Sequence, residues 1–408
     1  MIRIKLVTKI TAGQSPISTA VEPLNRGRAF LQGNAEFGLD KPYPVWECSD
    51  PPKTARQGDV LVSVRAPVGA VSVADQSYGI GRGLNSVRAT KIEPRYLRWL
   101  LIDAAIYLNS IATGSTYAAI TSSDLGSVAV PITTLDEQRQ IAEYLDRETG
   151  KIDELIAKQE QLVATLTERR QAVIAQVVTR GLDSTAKLKD SGFSWLGEVP
   201  AHWVVTSLGR RIDVLTGFPF RSEEFSSDDA HTRLLRGVNV NPGTTAWHDV
   251  VFWERQPGDG LDQYSLEEGD IVLGLDRPFV SSGTRVAQIV GGDLPSLLLQ
   301  RVARIRPTCG AFGPYLLLLL SGQIFHDYLS PIFTGVSVPH MSPEQLRKFV
   351  VAFPPEAEQQ EIASFIAVET RQINRLITKA REMIALLRER RAALISAAVT
   401  GKIDVRGL

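Results

Sequence analysis

A repeat within the chain constrains its fold more than any other feature of the sequence. Residues 137–183 align without a gap with residues 358–404, at a constant offset of 221 positions, and about 20 positions are identical. Each copy opens with Glu-Gln, continues shortly with Ile-Ala, and later carries Glu-Arg-Arg. The chain therefore contains the same structural unit twice.

Both copies of the repeat have the pattern of a long helix. No proline occurs in residues 136–179 or 356–400, and Gly150 is the only glycine in these two runs of sequence. Apolar residues recur at alternating steps of four and three, a seven-residue period that is typical of a left-handed seam between two helices. We predict long helices within 134–183 and 355–408, each following a proline, and about 44 residues would give a rod of about 65 Å.

Two helices with the same seam pattern are expected to pack on each other as an antiparallel coiled coil, because the domain between them lets the second helix return. The alternative is that each helix packs separately on its own globular domain. Arg170 and Arg391 occupy seam positions, where charge is unusual. Either the seam opens there and each side chain extends to solvent, or these arginines face a partner protein. The candidate docking residues on the helices are Arg169, Arg170, Arg390 and Arg391.

The segments outside the helices also resemble each other, more weakly. Residues 58–63 and 269–274 both begin with Gly-Asp and continue as an apolar run, the pattern of a turn followed by a buried strand. Further similar pairs are 65–67 with 276–278, 86–88 with 304–306, 96–101 with 315–320, and 113–114 with 334–335. We predict an α+β fold with two mixed, strand-rich domains, 1–133 and 184–354, separated by the two long helices and related by an approximate two-fold repeat.

The composition limits the classes of protein to which the chain can belong. The net charge is zero, and only residues 1–135 lean basic, with 14 basic and 10 acidic side chains. Binding to non-specific DNA by the chain alone would therefore be weak, and a partner would supply much of the phosphate contact. Cys48 and Cys309 give neither a disulfide framework nor a metal cluster, and we expect both to be reduced. The N-terminus lacks the apolar stretch of a signal peptide and residues 316–320 are too few to span a membrane, so we expect a soluble, cytoplasmic protein.

The sequence lacks the motifs of common catalytic sites. It contains no Gly-x-x-x-x-Gly-Lys-Ser/Thr phosphate loop, no dinucleotide-binding fingerprint and no Gly-x-Ser-x-Gly elbow. Residues 50–53, Asp-Pro-Pro-Lys, come closest to an amino-methyltransferase motif but lack its aromatic residue. The five histidines are scattered without metal-ligand spacing. We therefore expect neither catalysis nor a bound metal in this chain.

Several motifs resemble those of the DNA-specificity subunits of type I restriction-modification systems. Gly-Asp-Val-Leu-Val-Ser-Val-Arg-Ala-Pro-Val-Gly at 58–69 and Ile-Gly-Arg-Gly-Leu at 80–84 are similar to characteristic segments of that family. Residues 112–125, with Thr-Gly-Ser-Thr-Tyr, and the helix entry at 131–141 fit the same family. Trp-Leu-Gly-Glu-Val-Pro-Ala-His-Trp at 195–203 resembles the opening of the second recognition domain. Taken together, the resemblance covers essentially the whole chain, although the first domain lacks such an opening.

The resemblance implies a non-catalytic reader of DNA. Two target-recognition domains would each read one half of a split, asymmetric site in double-stranded DNA, and the paired helices would fix the gap, near one helical turn of about 34 Å. The helices would also dock two copies of a DNA methyltransferase subunit, and a restriction and translocase subunit would join that complex. The resemblance places S-adenosylmethionine, ATP and Mg²⁺ in those partners and no cofactor in this chain.

The residues that would contact DNA are less clearly indicated. Arginine can bind guanine bidentately in the major groove, whereas hydroxyls and amides serve phosphates and bases. Arg82 is the leading candidate, because the glycines beside it would allow a close approach to a phosphate. For each arginine the alternative is a surface salt bridge, and for Tyr117 it is a place in the core. The candidates are Gln14, Ser15, Arg65, Arg82, Ser115, Thr116 and Tyr117 in the first domain, and Arg221, Arg277, Arg285, Arg301 and His340 in the second.

Other functions remain open from the residues alone. One is a coiled-coil scaffold with two protein-binding domains and no DNA role, which the zero net charge favours and the paired domain motifs oppose. Another is the specificity chain of a related system in which one partner polypeptide fuses methylation and cleavage. Departures of the second domain at 281–283 and 333–337 from the first-domain pattern lead us to expect that the two domains read different sequences.

Overall fold

The structure is a computed structural model that describes residues 1–17, 20–38, 41–113, 118–333 and 339–405. It contains two compact units, one formed by Met1–Gln161 with Ala380–Leu408 and the other by Leu162–Lys379. Each unit holds one globular domain and parts of both long helices. The domain limits given above, which separate the helices from the domains, stay a prediction.

The described residues form eight α-helices, of which α4 and α8 are long. They are α1 (Pro94–Asp103), α2 (Ala105–Ile111), α3 (Ser122–Ser127), α4 (Leu135–Arg180), α5 (Gly313–Ser321), α6 (Gln323–Phe333), α7 (Pro343–Lys348) and α8 (Glu356–Val399). Helices α4 and α8 confirm the prediction of two long helices, with 46 and 44 residues. Each is followed by a glycine with positive φ, Gly181 at +73° and Gly401 at +71°, the conformation that commonly ends a helix.

Within each unit the two long helices pack antiparallel, as predicted from their shared seam pattern and from the domain that lies between them in sequence. In the first unit Arg391 Nε lies 2.8 Å from Asp153 Oδ1, and Arg388 Nη2 lies 2.9 Å from Glu160 Oε1, so residue numbers rise on one helix as they fall on the other. In the second unit an apolar cluster joins the helices through Val163, Leu166, Ile373 and Ile377. The coiled coil is therefore a feature of both units.

The seam arginines cross from one helix to the other. Arg391 pairs with Asp153, and Arg170 Nη1 donates to Asn374 Oδ1 at 2.9 Å. Both pairs obey the 221-residue offset, since position 170 corresponds to 391 and position 153 to 374. The proposal that the seam opens and the arginines extend to solvent is therefore corrected, because each arginine has a polar partner on the opposite helix.

The first unit contains one four-stranded and one five-stranded sheet. Its strands are β1 (Ile2–Arg3), β2 (Thr8–Ala12), β3 (Glu22–Pro23), β4 (Ala29–Leu31), β5 (Trp46–Glu47), β6 (Thr54–Ala55), β7 (Val60–Ser63), β8 (Val71–Val73), β9 (Tyr78–Ile80), β10 (Leu84–Ala89) and β11 (Ala129–Val130). The orders are β2-β10-β7-β8 and β3-β5-β4-β9-β6, and β1 pairs with β11. All four residues of β7 are buried, as expected for the predicted strand after Gly-Asp.

The second unit repeats this plan with more small sheets. Its strands are β12 (Leu188–Asp190), β13 (Glu198–Pro200), β14 (Val204–Ser207), β15 (Ile212–Thr216), β16 (Thr232–Leu235), β17 (Val240–Asn241), β18 (Thr244–Thr245), β19 (Phe252–Trp253), β20 (Ile271–Gly274), β21 (Phe279–Val280), β22 (Gly283–Thr284), β23 (Val286–Gln288), β24 (Ser296–Leu298), β25 (Val302–Pro307) and β26 (Val350–Phe353). The four-stranded sheet has the order β15-β25-β20-β23, which matches β2-β10-β7-β8 of the first unit. A three-stranded sheet has the order β19-β16-β24, and its strands are interspersed along the chain with those of the four-stranded sheet.

A buried glutamine near the start of each long helix ties that helix to its globular domain. Gln138 accepts a hydrogen bond from the backbone N–H of Glu93, just before α1, at 2.9 Å. Gln359 accepts one from the N–H of Phe312, just before α5, at the same distance. Each amide also donates to the carbonyl five residues earlier, at 2.9 Å. The glutamine of the Glu-Gln pair that opens both repeat copies therefore has a structural role.

A buried tyrosine ties each domain to the end of the other long helix. The Tyr96 hydroxyl, in α1, donates to the carbonyl of Val399 at 3.3 Å. The Tyr315 hydroxyl, in α5, donates to the carbonyl of Val178 at 3.4 Å, and positions 178 and 399 again differ by 221. Burial raises the pKa of Tyr96 to about 12, so its hydroxyl remains a donor at neutral pH. Carbonyls at a helix end have no partner in their own helix, and these tyrosines supply one.

Among the described residues, no single helix combines the length and apolarity needed to cross a membrane. Helices α5 and α6 reach the required apolarity only as a pair, and they meet at a bend of 49°. Their buried side chains, such as Leu316 and Phe325, belong to the core of the second unit.

Replacing Gln359 with Met should destabilise the chain by about 2 kcal/mol. Met fills a similar volume but leaves the buried N–H of Phe312 without a partner, which costs about 1–3 kcal/mol. The free energy of unfolding is measured by urea denaturation followed by circular dichroism. Gln360→Met is the matched control, since Gln360 is exposed on the same helix and the change should stay within about 0.5 kcal/mol. Equal stability of the two variants would contradict the assigned contact.

Candidate nucleic-acid interface

Three of the first-domain candidates lie together beside the glycine turn of residues 81–83. The N–H of Gln14 donates to the carbonyl of Ile80 at 2.9 Å. The N–H of Arg82 lies 3.5 Å from the Ser15 hydroxyl oxygen, which accepts from it. The side chains of Gln14, Ser15 and Arg82 are exposed. The structure therefore brings together candidates that are far apart in the sequence.

The glycines around Arg82 have a different role from the one expected. A Cβ atom at Gly83 would lie 2.7 Å from the carbonyl oxygen of Gln32, and one at Gly81 would lie 3.1 Å from its Cα atom. Real Cβ contacts are almost never as short as 2.7 Å, so Gly83 allows the turn to pack against the backbone of Gln32, whereas a side chain at Gly81 would require a small shift. Close approach to a phosphate is not required to explain these glycines, and Arg82 itself stays a predicted DNA contact.

Arg65 lies where three segments of the first domain meet. The N–H of Val64 donates to the carbonyl of Gly83 at 2.9 Å, and the N–H of Ala66 donates to the carbonyl of Ala118 at 3.1 Å. Arg65, between them, is exposed. We call this the Arg65 junction: residues 64–66, 83 and 118–119. The remaining first-domain candidates lie outside the described residues: Ser115, Thr116 and Tyr117.

The second domain has a junction with the same backbone pattern. The N–H of Leu275 donates to the carbonyl of Arg301 at 2.9 Å, and the N–H of Arg277 donates to the carbonyl of Pro339 at 2.8 Å. Asp276 therefore occupies the place that Arg65 has in the first domain. We call this the Asp276 junction: residues 275–277, 301 and 339–340. It brings together three of the five second-domain candidates.

The Asp276 carboxylate joins the side chains at its junction. Its Oδ1 lies 2.6 Å from His340 Nδ1, and its Oδ2 lies 2.7 Å from Arg301 Nη1. Partial burial raises the pKa of Asp276, but the hydrogen bonds from His340 and Arg301 outweigh burial, so the pKa lies below its usual value. The carboxylate is thus charged at neutral pH. The Arg301 side chain is 69% exposed, which leaves most of the guanidinium open to solvent.

Two arginines of the Asp276 junction have an uncommon backbone conformation. Arg277 has φ +45° and Arg301 has φ +67°, and among the described non-glycine residues only Cys309 shares this feature. An L-residue in the left-handed region costs about 1–2 kcal/mol relative to its preferred conformations. Such residues cluster at functional sites, where the surrounding structure holds them in place.

Two other second-domain candidates have contrasting surroundings. The Arg285 guanidinium donates to backbone carbonyls of Gly237 and Val240, the latter at 3.1 Å from Nε. Burial lowers the pKa of Arg285, and its guanidinium satisfies the protein's own carbonyls, while its role as a DNA contact stays a prediction. Arg221 is 80% exposed and lies 3.8 Å from the carboxylate of Glu224, so it is a weakly paired surface cation.

Each Gly-Asp motif contributes its aspartate to a structural ion pair that the sequence did not predict. The buried carboxylate of Asp59, from the Gly-Asp motif, lies 2.7 Å from Arg88 Nε, and Asp270 pairs with Arg306 in the second domain. Burial raises the pKa of Asp59, but hydrogen bonds from Arg88 and neighbouring groups lower it below its usual value. The only signal of these ion pairs in the sequence was the similarity between residues 86–88 and 304–306, which end in these two arginines. They fix the central strands and do not add to the DNA candidates.

The docking candidates on the helices divide into two classes. Arg169 and Arg390 are exposed at positions 221 residues apart and form no ion pair within the described part of the chain. Arg170 and Arg391 cross the seam, and the Arg391 guanidinium lies 5.8 Å from the centre of the Trp99 ring. Arg391 also lines a cleft of about 520 Å³ in the first unit. The residues that the structure describes include no group of three or more His, Cys, Asp or Glu side chains suited to a metal ion.

Comparisons with known proteins agree on one family. Residues 51–164 match the family model described as the type I restriction modification DNA specificity domain. The chain is 26% identical to the type I restriction enzyme MjaVIII specificity subunit of Methanocaldococcus jannaschii over 338 residues, 80% of this chain and 76% of the relative. It is 36% identical to the EcoAI specificity subunit of Escherichia coli over 168 residues, which are 41% of this chain and 28% of that relative.

A solved structure has the same fold. A chain from work on the structural basis of complex assembly and conformational transition of the type I R-M system superposes with a TM-score of 0.73. The match covers 98% of this chain and 97% of that one, at 17% sequence identity. At that identity the likeness concerns the fold alone.

Replacing Arg285 with Met should cost about 1–3 kcal/mol of stability, because buried carbonyls lose their hydrogen-bond donors. Arg221→Met is the matched control and should change stability by less than about 0.5 kcal/mol, since a long exposed ion pair contributes little. Urea denaturation of the purified variants measures both. A stable Arg285→Met variant would contradict this structural role.

Proposed function

This chain belongs to the family of type I restriction-modification specificity subunits, and on that premise we propose that it reads a split, asymmetric site in double-stranded DNA. In this proposal residues 1–133 and 184–354 are two target-recognition domains, and 134–183 and 355–408 are two spacer helices. The chain is the non-catalytic component of its system, and it supplies sequence specificity.

The observation that carries the proposal is the repeated junction. The Arg65 and Asp276 junctions share one pattern of backbone hydrogen bonds, yet their side chains differ at three corresponding positions that are exposed or half-buried: Arg65 against Asp276, Ala66 against Arg277, and Ala119 against His340. A common framework that presents different polar groups suits two readers of two different sequences. Base contacts specify a site, whereas phosphate contacts position the protein.

The continuous long helices support the role of a spacer. Helices α4 and α8 run for 46 and 44 residues without a break, which corresponds to about 65–70 Å each. Each globular domain holds the start of one helix through a glutamine and the end of the other through a tyrosine. A rigid attachment of both domains would make the helix length part of the sequence specificity.

Exposed apolar side chains on the helices support two equivalent docking surfaces. Leu155 and Leu376 are exposed at positions 221 residues apart, and so are Leu162 and Met383. Apolar positions outside the seam of a coiled coil are candidates for a protein interface. We assign them to two copies of a DNA methyltransferase subunit, with Arg169 and Arg390 beside them, and a restriction and translocase subunit completes the complex. S-adenosylmethionine, ATP and Mg²⁺ act in those partners.

The proposal is tested by co-expressing this chain with the methyltransferase subunit encoded beside it, in a host without other adenine methylation. Methylation-sensitive long-read sequencing of the host DNA should show a split motif with methylated adenine in both halves, absent when this chain is omitted. A stable complex without any change in methylation would instead favour a protein-binding scaffold.

Replacing Arg82 with Ala should weaken DNA binding by the assembled complex by about 1–3 kcal/mol, because an exposed arginine contact to a base or phosphate is lost. Binding to a duplex that carries the recognised motif is measured at several salt concentrations. A phosphate contact would reduce the salt slope by about one, whereas a base contact would relax the motif at one position.

Lys91→Ala is the matched control for Arg82. Lys91 is an exposed cation that follows β10, whereas Arg82 precedes the same strand, so the two lie about 20 Å apart or more. The control should bind as the unmodified chain does. Unchanged affinity of Arg82→Ala in an intact complex would remove Arg82 from the interface.

A further inference from the structure

We infer that Asp276 is a positioning residue that holds Arg301 and His340 to read one base pair, with guanine as the base that Arg301 recognises. The inference rests on the proposed function, and it names the chemistry by which the second recognition domain reads its half of the site. Arg301 and His340 were candidates from the sequence, whereas Asp276 was not.

The geometry gives each carboxylate oxygen its own partner. Oδ1 faces His340 Nδ1 at 2.6 Å and Oδ2 faces Arg301 Nη1 at 2.7 Å, so one side chain fixes two others. A carboxylate accepts hydrogen bonds, so the His340 nitrogen that faces it carries the proton. Both Arg301 and His340 remain more than half exposed, which places their other polar atoms toward solvent. The arrangement orders polar groups without burying them.

The backbone at Arg301 argues against a merely structural pair. Residue 301 has φ +67°, a conformation in which glycine would be more stable than arginine. The corresponding residue of the first domain, in the same hydrogen bond to the central segment, is Gly83, which does not share this positive φ. A solvent-exposed ion pair contributes little to stability, so it does not account for an arginine at this place. A contact between the Arg301 side chain and a molecule other than this chain explains why arginine occupies this position.

The chemistry of the exposed groups points to guanine. Arginine presents a planar fork of donors that matches the O6 and N7 acceptors of guanine in the major groove. Because Asp276 holds Nη1, the fork of Arg301 is oriented before DNA binds, and less conformational freedom is lost on contact. His340 presents its second ring nitrogen beside it, within reach of the same or the adjacent base pair.

The test compares DNA motifs read by complexes of the co-expressed methyltransferase with Asp276→Asn, Arg301→Gly or unmodified chains. The two variants should relax the motif at one and the same position, in one half-site, with discrimination for guanine reduced about tenfold or more. The other half-site should stay unchanged in the same sequencing data, and it serves as an internal control. Because glycine adopts φ +67° without strain, Arg301→Gly should unfold at a temperature no lower than that of the unmodified chain.

Asp259→Asn is the matched control variant. Asp259 is likewise paired with an arginine of the second domain, Arg255, at 2.7 Å, but it lies outside the Asp276 junction. Its motif should equal that of the unmodified chain.

The outcomes separate the inference from the proposed function. An unmodified chain that yields no split motif would overturn both. A split motif that both Asp276→Asn and Arg301→Gly leave intact would overturn the inference alone. Uniform loss of methylation at all sequences, with a reduced salt slope of binding, would also overturn it, because it would assign Arg301 to a phosphate.

Discussion

The hydrogen bonds that tie each globular domain to the start of one long helix and the end of the other are the interactions on which the structure depends. Helix ends carry unpaired backbone groups, and burying them without partners is costly. Gln138 and Gln359, in the first turn of each long helix, accept from the backbone N–H just before α1 and α5, and Tyr96 and Tyr315 donate to carbonyls near the ends of the long helices. The same contacts leave the domains no freedom to slide along the helices. The proposed reading of a split DNA site depends on that attachment.

The features that follow from local pattern could be predicted from the sequence. The seven-residue period and the scarcity of glycine and proline were sufficient for α4 and α8, and the Gly-Asp motifs marked the central strands β7 and β20. The fates of individual arginines could not be predicted in this way. Arg285 finds its carbonyl partners 45 and 48 residues away, and Arg391 finds Asp153 at a distance of 238 residues. Such partners depend on the folded chain, and no local signal distinguishes a structural arginine from an exposed one.

The glycine turn at Arg82 shows that a pattern typical of a phosphate site can have a structural cause. Glycines beside an arginine are typical of a phosphate site, but here they allow the turn to approach the backbone of Gln32. The Arg82 side chain is exposed all the same, because the close packing of the turn leaves no room for it inside the domain. Packing constraints on neighbours, rather than any property of the arginine, therefore determine its exposure.

The two junctions show how one framework can present cations at different places. In the first domain the cation stands on the central segment, at Arg65, and its neighbours across the junction are small. In the second domain a carboxylate takes that position, and the cations are Arg277, the next residue on the same segment, and Arg301 on a flanking segment. Adjacent segments of a sheet lie about 5 Å apart, which exceeds the 3.4 Å rise of one base pair. Under the proposed function, moving the arginine from one segment to the next would be enough to change which base pair it faces while the backbone hydrogen bonds stay the same.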